Sequence, residues 1–99
     1  MNGKRPPHPG EVLRARYLEP RGILPAKLAD AIDVSRKHVS LILSGEAPVR
    51  ADTALRLAVA LNTTPELWLE LQAAYDLWEL RQVRRPKVKR LTDGRQARQ

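Results

Sequence analysis

The side chains best suited to specific chemistry lie close together in this chain: Ser35, Arg36, Lys37, Ser40, Leu41 and Ser44. Guanidinium and ammonium groups donate to guanine O6 and N7 or to phosphate, a hydroxyl serves either base, and a leucine can meet a thymine methyl. Ser35 and the free amides that follow it suit a phosphate oxygen. Catalysis has no comparable set. An enzyme needs a nucleophile with its base, paired acids or a metal site. The only histidines are His8 and His38, cysteine is absent, and no Gly-rich phosphate loop or Ser-His-Asp arrangement occurs. No catalytic residue, cofactor or metal is therefore expected. His8 reads as a helix cap and His38 as a partly exposed surface residue. The competing interpretation of the basic cluster is a solvated face on a plain helical hairpin.

To act on DNA, these residues must share one side of a short helix, and the flanking sequence provides one. Strand alternation is absent, while helical spacing and helix punctuation recur. Ser35 is a strong N-cap for a helix over Arg36 to Leu43, with Val39 and Ile42 inward and Gly45 as a left-handed stop. Before it, Pro25 to Ile32 forms a helix with Leu28, Ala29 and Ile32 inward, and Asp33 tolerates the left-handed turn. Two short helices joined this tightly, over about residues 24–43, describe a helix-turn-helix. A helix begins at His8-Pro9-Gly10-Glu11, where Glu11 can reach back to the His8 amide, and ends before Pro20. Val12, Leu13 and Tyr17 share a side of it. A fourth runs from Ala51 to Leu61, with Ala54, Leu55, Leu57, Ala58 and Leu61 as its apolar stripe and Asn62 as its end. A fifth begins at Thr64-Pro65-Glu66 and continues to about Leu80 or a little beyond.

The last helix carries two apolar stripes. Leu67, Trp68, Leu71, Ala74, Tyr75 and Trp78 form one, and Leu69, Ala73, Leu77 and Leu80 the other, with Glu66, Glu70, Gln72, Asp76 and Glu79 between them. A monomeric surface helix needs one stripe. The second is expected to be the interface of a homodimer, setting two recognition helices about one DNA turn, ~34 Å, apart. The first helix, the tail or a partner protein are the other candidates to cover it.

The chain has 99 residues, 42% hydrophobic and 29% charged, enough for one domain. Its net charge of +7 is unevenly placed: residues 1–80 hold ten basic and ten acidic side chains, and 81–99 hold eight basic residues against Asp93 alone. The expected organisation is a flexible start at 1–7, a helical domain at 8–80 with its dimerisation helix at about 65–80, and a disordered basic tail at 81–99. That tail is either an arm drawn to phosphate or an acidic protein, or a solvated extension. No apolar run approaches a bilayer span and the N-terminus lacks a signal-peptide core, so no membrane partner and a cytoplasmic location are expected.

The segments HPGEVL (8–13), KLADAIDVSRKHVSLILSGE (27–46) and DTALRLAVALNTTPELWLELQAAYDLW (52–78) resemble the HigA-type antitoxins, small members of the Xre group of phage-repressor-like helix-turn-helix proteins. The resemblance implies an all-α, five-helix, lambda-repressor-like domain that dimerises and binds double-stranded operator DNA in the promoter of its own operon. It also implies a HigB-like toxin partner, a messenger-RNA endonuclease that the antitoxin silences. The family's recognition positions fall on Ser35, Arg36, Lys37, Ser40 and Leu41. The chain departs from the family pattern at Leu24 and Pro25 (usually Ser or Thr, then Gln), Asp33 (usually Gly), Leu41 (often Arg) and Arg50 (usually a Thr cap). Arg50 can itself grip phosphate. Two further readings compete: an orphan Xre-type regulator without a toxin, and a protein-interaction module whose helix-turn-helix no longer binds DNA.

Overall fold

His8 sets the start of the first helix in the computed structural model, which describes residues 4–83 and 86–92. Its backbone is extended, and its Nδ1 accepts the Gly10 amide at 2.9 Å. Pro9 takes the first helical position, where a missing N–H is no loss. Glu11, expected to reach back to the His8 amide, turns instead to Arg5 Nη2 at 3.0 Å. This helix, α1 (Pro9–Val12), passes into a π-helical segment at Leu13–Leu18 and a 3-10 turn at Glu19–Arg21. A π turn brings residues five apart onto one side. Leu13 and Leu18 are accordingly both buried, although 3.6-residue spacing picked out Val12, Leu13 and Tyr17 alone. The stop expected before Pro20 is a tightening through it, closed by Gly22 at φ 63°.

The four remaining helices are α2 (Pro25–Ile32), α3 (Arg36–Leu43), α4 (Ala51–Leu61) and α5 (Pro65–Val83). Their ends follow the local chemistry. Ser35 Oγ accepts the His38 amide at 3.0 Å, and Thr64 Oγ1 accepts the Leu67 amide at 3.2 Å. Asp33, Gly45 and Asn62 all adopt the left-handed conformation at the sequence-predicted stops. Among the described residues there are five α-helices and no strand, the all-α class expected.

Helix α5 lies across α4 and α1, while α1 packs on α3 and α2 on α4. Trp68, fully buried, sits at the centre of the core with Leu13, Val39, Ile42, Val49 and Leu57. Its indole N–H donates to Thr63 Oγ1 at 2.8 Å, so the large ring is buried without an orphaned donor. Two inward assignments change. Leu55 is exposed and Thr53 is buried in its stead. The face of α4 that meets the core centres on Ala54, Leu57, Ala58 and Leu61, and at 100° per residue Leu55 projects about a quarter turn away. On α5, Ala74 is exposed and Gln72, expected among the polar separators, is buried. Gln72 Oε1 accepts the Val49 amide at 2.8 Å and its Nε2 donates to Asp76 Oδ1 at 3.0 Å, which makes that burial tolerable.

Of the sequence expectations at the termini, residues 1–3 of the N-terminal segment and residues 84–85 and 93–99 of the basic tail lie outside the described residues. Arg5 pairs with Glu11 and sits over the Tyr75 ring at 5.7 Å. Helix α5 reaches Val83, three residues past Leu80, and residues 86–92 form no helix or strand.

Candidate nucleic-acid interface

Helix α3 is anchored by Val39, Ile42 and Leu43, all buried. The α1 backbone presses against its far end. A Cβ built on Gly10 would collide with the Ile42 carbonyl oxygen and lie 2.8 Å from its carbon and 3.0 Å from Leu43 Cα. Only glycine permits that approach, so α3 is held between the core and the start of α1.

With one side buried, the other is free. Ser35, Arg36, Lys37, Ser40 and Ser44 are exposed, as the sequence pattern requires. Leu41 is half-buried: its carbonyl accepts the Glu46 and Ala47 amides at 2.8 and 3.1 Å and the Ser44 hydroxyl at 3.1 Å, closing the end of α3. Ser44 Oγ is thus engaged as a donor but keeps lone pairs for a second partner. Arg36 Nη2 lies 3.5 Å from Asp30 Oδ2, with both side chains about 70% exposed. An ion pair so exposed is worth at most about 1 kcal/mol, too little to hold the guanidinium against a base or phosphate. Arg50 is the exposed N-cap of α4, with no side-chain cap bond, leaving its guanidinium uncommitted there. Leu24, where α2 begins, likewise gives no side-chain cap and is 70% exposed.

Two residues that frame this face escaped the sequence pattern. Gly10 is one. The other is Arg56, on α4, whose Nη1 donates to the Ile32 carbonyl at 2.8 Å while its Nε donates to Asp52 Oδ2 at 2.9 Å. It satisfies the last turn of α2 just before the Asp33 bend, and so fixes the corner of the two-helix unit. The Asp52–Arg56 pair is legible from its four-residue spacing; the bond to α2 is visible only once the chain is folded.

The expected second stripe of α5 is also on the surface. Leu69, Ala73, Leu77 and Leu80 are exposed, and Leu77 and Leu80 border an apolar groove closed by Val83 and Pro86. On the opposite side of α5, His8 packs edge-on against Tyr75 at 4.9 Å. Burial holds the His8 imidazole below its ordinary pKa, outweighing the nearby acids Glu11, Asp76 and Glu79. The Tyr75 hydroxyl donates to Glu79 Oε2 at 3.1 Å, which pushes its own pKa up. Among the described residues, no cluster of metal-ligating side chains is present and no helix is long and apolar enough to cross a membrane.

A helix-turn-helix family model matches residues 15–68, which take in α2, α3, α4 and the exposed residues from Ser35 to Arg50. The chain is 45% identical over 78 residues to Antitoxin HigA-1 of Vibrio cholerae, across 79% of this chain and 73% of that one. It belongs to the HigA-type antitoxin family of helix-turn-helix proteins. Antitoxin GraA, a solved structure, matches with TM-score 0.78 and 47% identity over 80% of this chain and 85% of its own. A second structure, antitoxin GraA in complex with its operator, matches with TM-score 0.73 and 41% identity over 90% of this chain and 98% of its own. The HigA-type family is one of DNA-binding antitoxins and regulators rather than enzymes, in keeping with the missing catalytic constellation.

Proposed function

We propose that this HigA-type protein represses its own operon by binding operator DNA as a two-fold dimer, and that it neutralises a HigB-like messenger-RNA endonuclease. The observation that carries the DNA reading is the uncovered face of α3, with Ser35, Arg36, Lys37 and Ser40 exposed on a helix whose other side is locked into the core. Arg36 and Lys37 address guanine edges or phosphate, Ser40 either base, and the exposed edge of Leu41 a thymine methyl. Ser35 with the first amides of α3, Ser44 and Arg50 take phosphate oxygens. That the similar antitoxin GraA is solved in complex with its operator supports the DNA-binding reading.

Leu69, Ala73, Leu77 and Leu80 are the interface of the dimer in this reading, because they form an apolar stripe on α5 that the monomer leaves open. Two recognition helices related by a two-fold axis then meet successive major grooves of a palindrome. The reading is tested in two steps. A mobility shift against the region upstream of its own gene is expected to show binding that an unrelated duplex does not match. Co-expression with the product of the neighbouring gene, followed by pull-down, is expected to recover a complex. Operator binding without any such complex assigns the chain as an orphan Xre-type regulator. A complex without operator binding leaves it an interaction module.

A further inference from the structure

The basic face of α3 has an acid tied to it. Among the described residues the ion pairs are Arg5–Glu11, Arg36–Asp30 and Arg56–Asp52, and of these Arg36–Asp30 alone involves a residue of that face. On charge alone an acid is out of place there, because it repels the phosphates that Arg36, Lys37 and Arg50 attract. The main chain nevertheless holds it in position. Asp30 lies in the last turn of α2, where its carbonyl accepts the Asp33 amide at 3.3 Å and the Ala29 carbonyl accepts the Val34 amide at 3.1 Å. Arg56 Nη1 donates to the Ile32 carbonyl at 2.8 Å in the same turn. Arg36 opens α3 directly after the Ser35 cap. Both sides of the bend are thus bonded in place, and they set the separation of the two side chains.

The pair is suited to being shared rather than broken. It is too exposed to withhold Arg36 from DNA, and binding does not require its loss. A guanidinium presents its N–H donors in a rigid fork. Nη2, the nitrogen 3.5 Å from Asp30 Oδ2, carries two hydrogens, one on each edge of that fork. Drawn to Asp30 by one edge, Arg36 keeps the other, with two parallel N–H groups, for two acceptors side by side. Guanine O6 and N7 are such a pair. A phosphate is met from many directions, so a fixed orientation matters above all for a base edge. An arginine already anchored also loses less conformational freedom on docking. A duplex that covers the pair excludes water and strengthens the attraction between its charges. Lys37, next in the chain, is a point charge that pairs with no acid among the described residues.

We propose that Asp30 is a positioning residue for operator recognition: from α2 it steers the Arg36 guanidinium so that one edge of the fork is presented to a base edge, while the unsteered Lys37 serves phosphate. The inference rests on the DNA-binding reading above, in which α3 faces the duplex. Asp30 acts through Arg36. Its carboxylate lowers affinity for every duplex somewhat and raises the selectivity among them.

The test uses the full chain, Asp30→Ala, Arg36→Ala and the double variant. Each is titrated by fluorescence anisotropy at one salt concentration against two duplexes of equal length, a random sequence and the region upstream of the chain's own gene. Asp30 is exposed on α2 and alanine is the better helix former, so the fold is expected to persist, and melting curves check it. Asp30→Ala is expected to bind the random duplex as tightly as the parent or more tightly, because an acid is gone. Its preference for the upstream duplex over the random one is expected to fall about three- to tenfold. Asp30→Asn, the same shape without the charge, should shift the preference in the same direction. In the Arg36→Ala background, Asp30→Ala is expected to leave the preference unaltered. Lys37→Ala should weaken both duplexes alike. An Asp30→Ala variant that keeps the parent's preference, with both affinities raised or lowered together, overturns the positioning role. A further loss of preference in the Arg36→Ala background overturns it as well. A parent chain with no preference for its upstream region brings down the operator reading and the proposal with it, whereas a parent preference that Asp30→Ala leaves intact brings down the proposal alone.

Discussion

Gly10→Ala is the sharpest perturbation this structure suggests, because two effects of opposite sign meet at one atom. Alanine is the better helix former, by up to about 1 kcal/mol in a helix interior and by less in a first turn. Against that gain, the new Cβ strikes backbone. It overlaps the Ile42 carbonyl oxygen and lies 2.8 Å from its carbon and 3.0 Å from Leu43 Cα, where ordinary contacts begin at 3.4 Å. No side-chain rotation relieves a clash with main chain, so α1 and α3 must move apart. Overpacking of this kind costs about 1–3 kcal/mol. The net effect is a loss of about 1–2 kcal/mol, and for a domain of this size each kcal/mol shifts the midpoint by about 4–8 °C. Thermal unfolding followed by circular dichroism is expected to show a midpoint lower by about 5–15 °C. Gly22→Ala is the matched comparison. Nothing lies within 4 Å of its Cβ position, and the φ of +63° leaves only left-handed backbone strain, about 1 kcal/mol. A Gly10→Ala midpoint equal to or above that of the parent chain refutes the steric argument, as does a larger loss for Gly22→Ala.

The His8 cap makes stability depend on pH. Its folded pKa lies below the ordinary 6.5, so the folded state binds fewer protons than the unfolded one. Stability is therefore complete above about pH 6.5 and declines as pH falls through 6.5 towards the lowered value; melting curves between pH 8 and pH 5 check this, and His8→Asn, a cap that does not titrate, should flatten the profile. Arg56→Ala removes the donor to the Ile32 carbonyl and should cost about 1–2 kcal/mol in urea unfolding, with Arg56→Lys recovering part of it. Leu77→Glu places a charge on the second stripe of α5 and should yield monomers by light scattering; an unchanged dimeric mass moves the interface elsewhere. Arg36→Ala and Lys37→Ala should each weaken operator binding by about 1–3 kcal/mol where the contact is to a base, and unchanged affinity in the double variant removes both from the interface.

Local chemistry made the helix ends readable. Ser35 and Thr64 carry hydroxyls that satisfy first-turn amides, and Asp33, Gly45 and Asn62 accept a left-handed backbone, so the sequence pattern located these positions without tertiary information. The exposed side of α3 was readable for a related reason: the spacing of Val39 and Ile42 leaves only one way to turn the helix. What stayed hidden depends on contacts between distant segments. The π turn that buries Leu18 breaks the 3.6-residue period of that helix. Gln72 looks like a surface residue until its partner, the Val49 amide, is in place. Arg56 reads as half of a helical ion pair, and its bond to Ile32 spans 24 residues. Gly10 looks like a weak helix former; the passage of Ile42 over it supplies the reason for it.

The Gln72–Val49 bond has a mechanical consequence. Gln72 belongs to the same helix as Leu69, Ala73, Leu77 and Leu80, and Val49 adjoins Arg50 at the head of α4. In the proposed two-fold assembly joined through α5, a buried strut thus ties the joint to the loop that carries Arg50, and the distance between the two proposed readers is fixed like the jaws of a set caliper. An operator whose halves are separated by one extra base pair, about 3.4 Å and a tenth of a turn, presents its second half where the other jaw does not close.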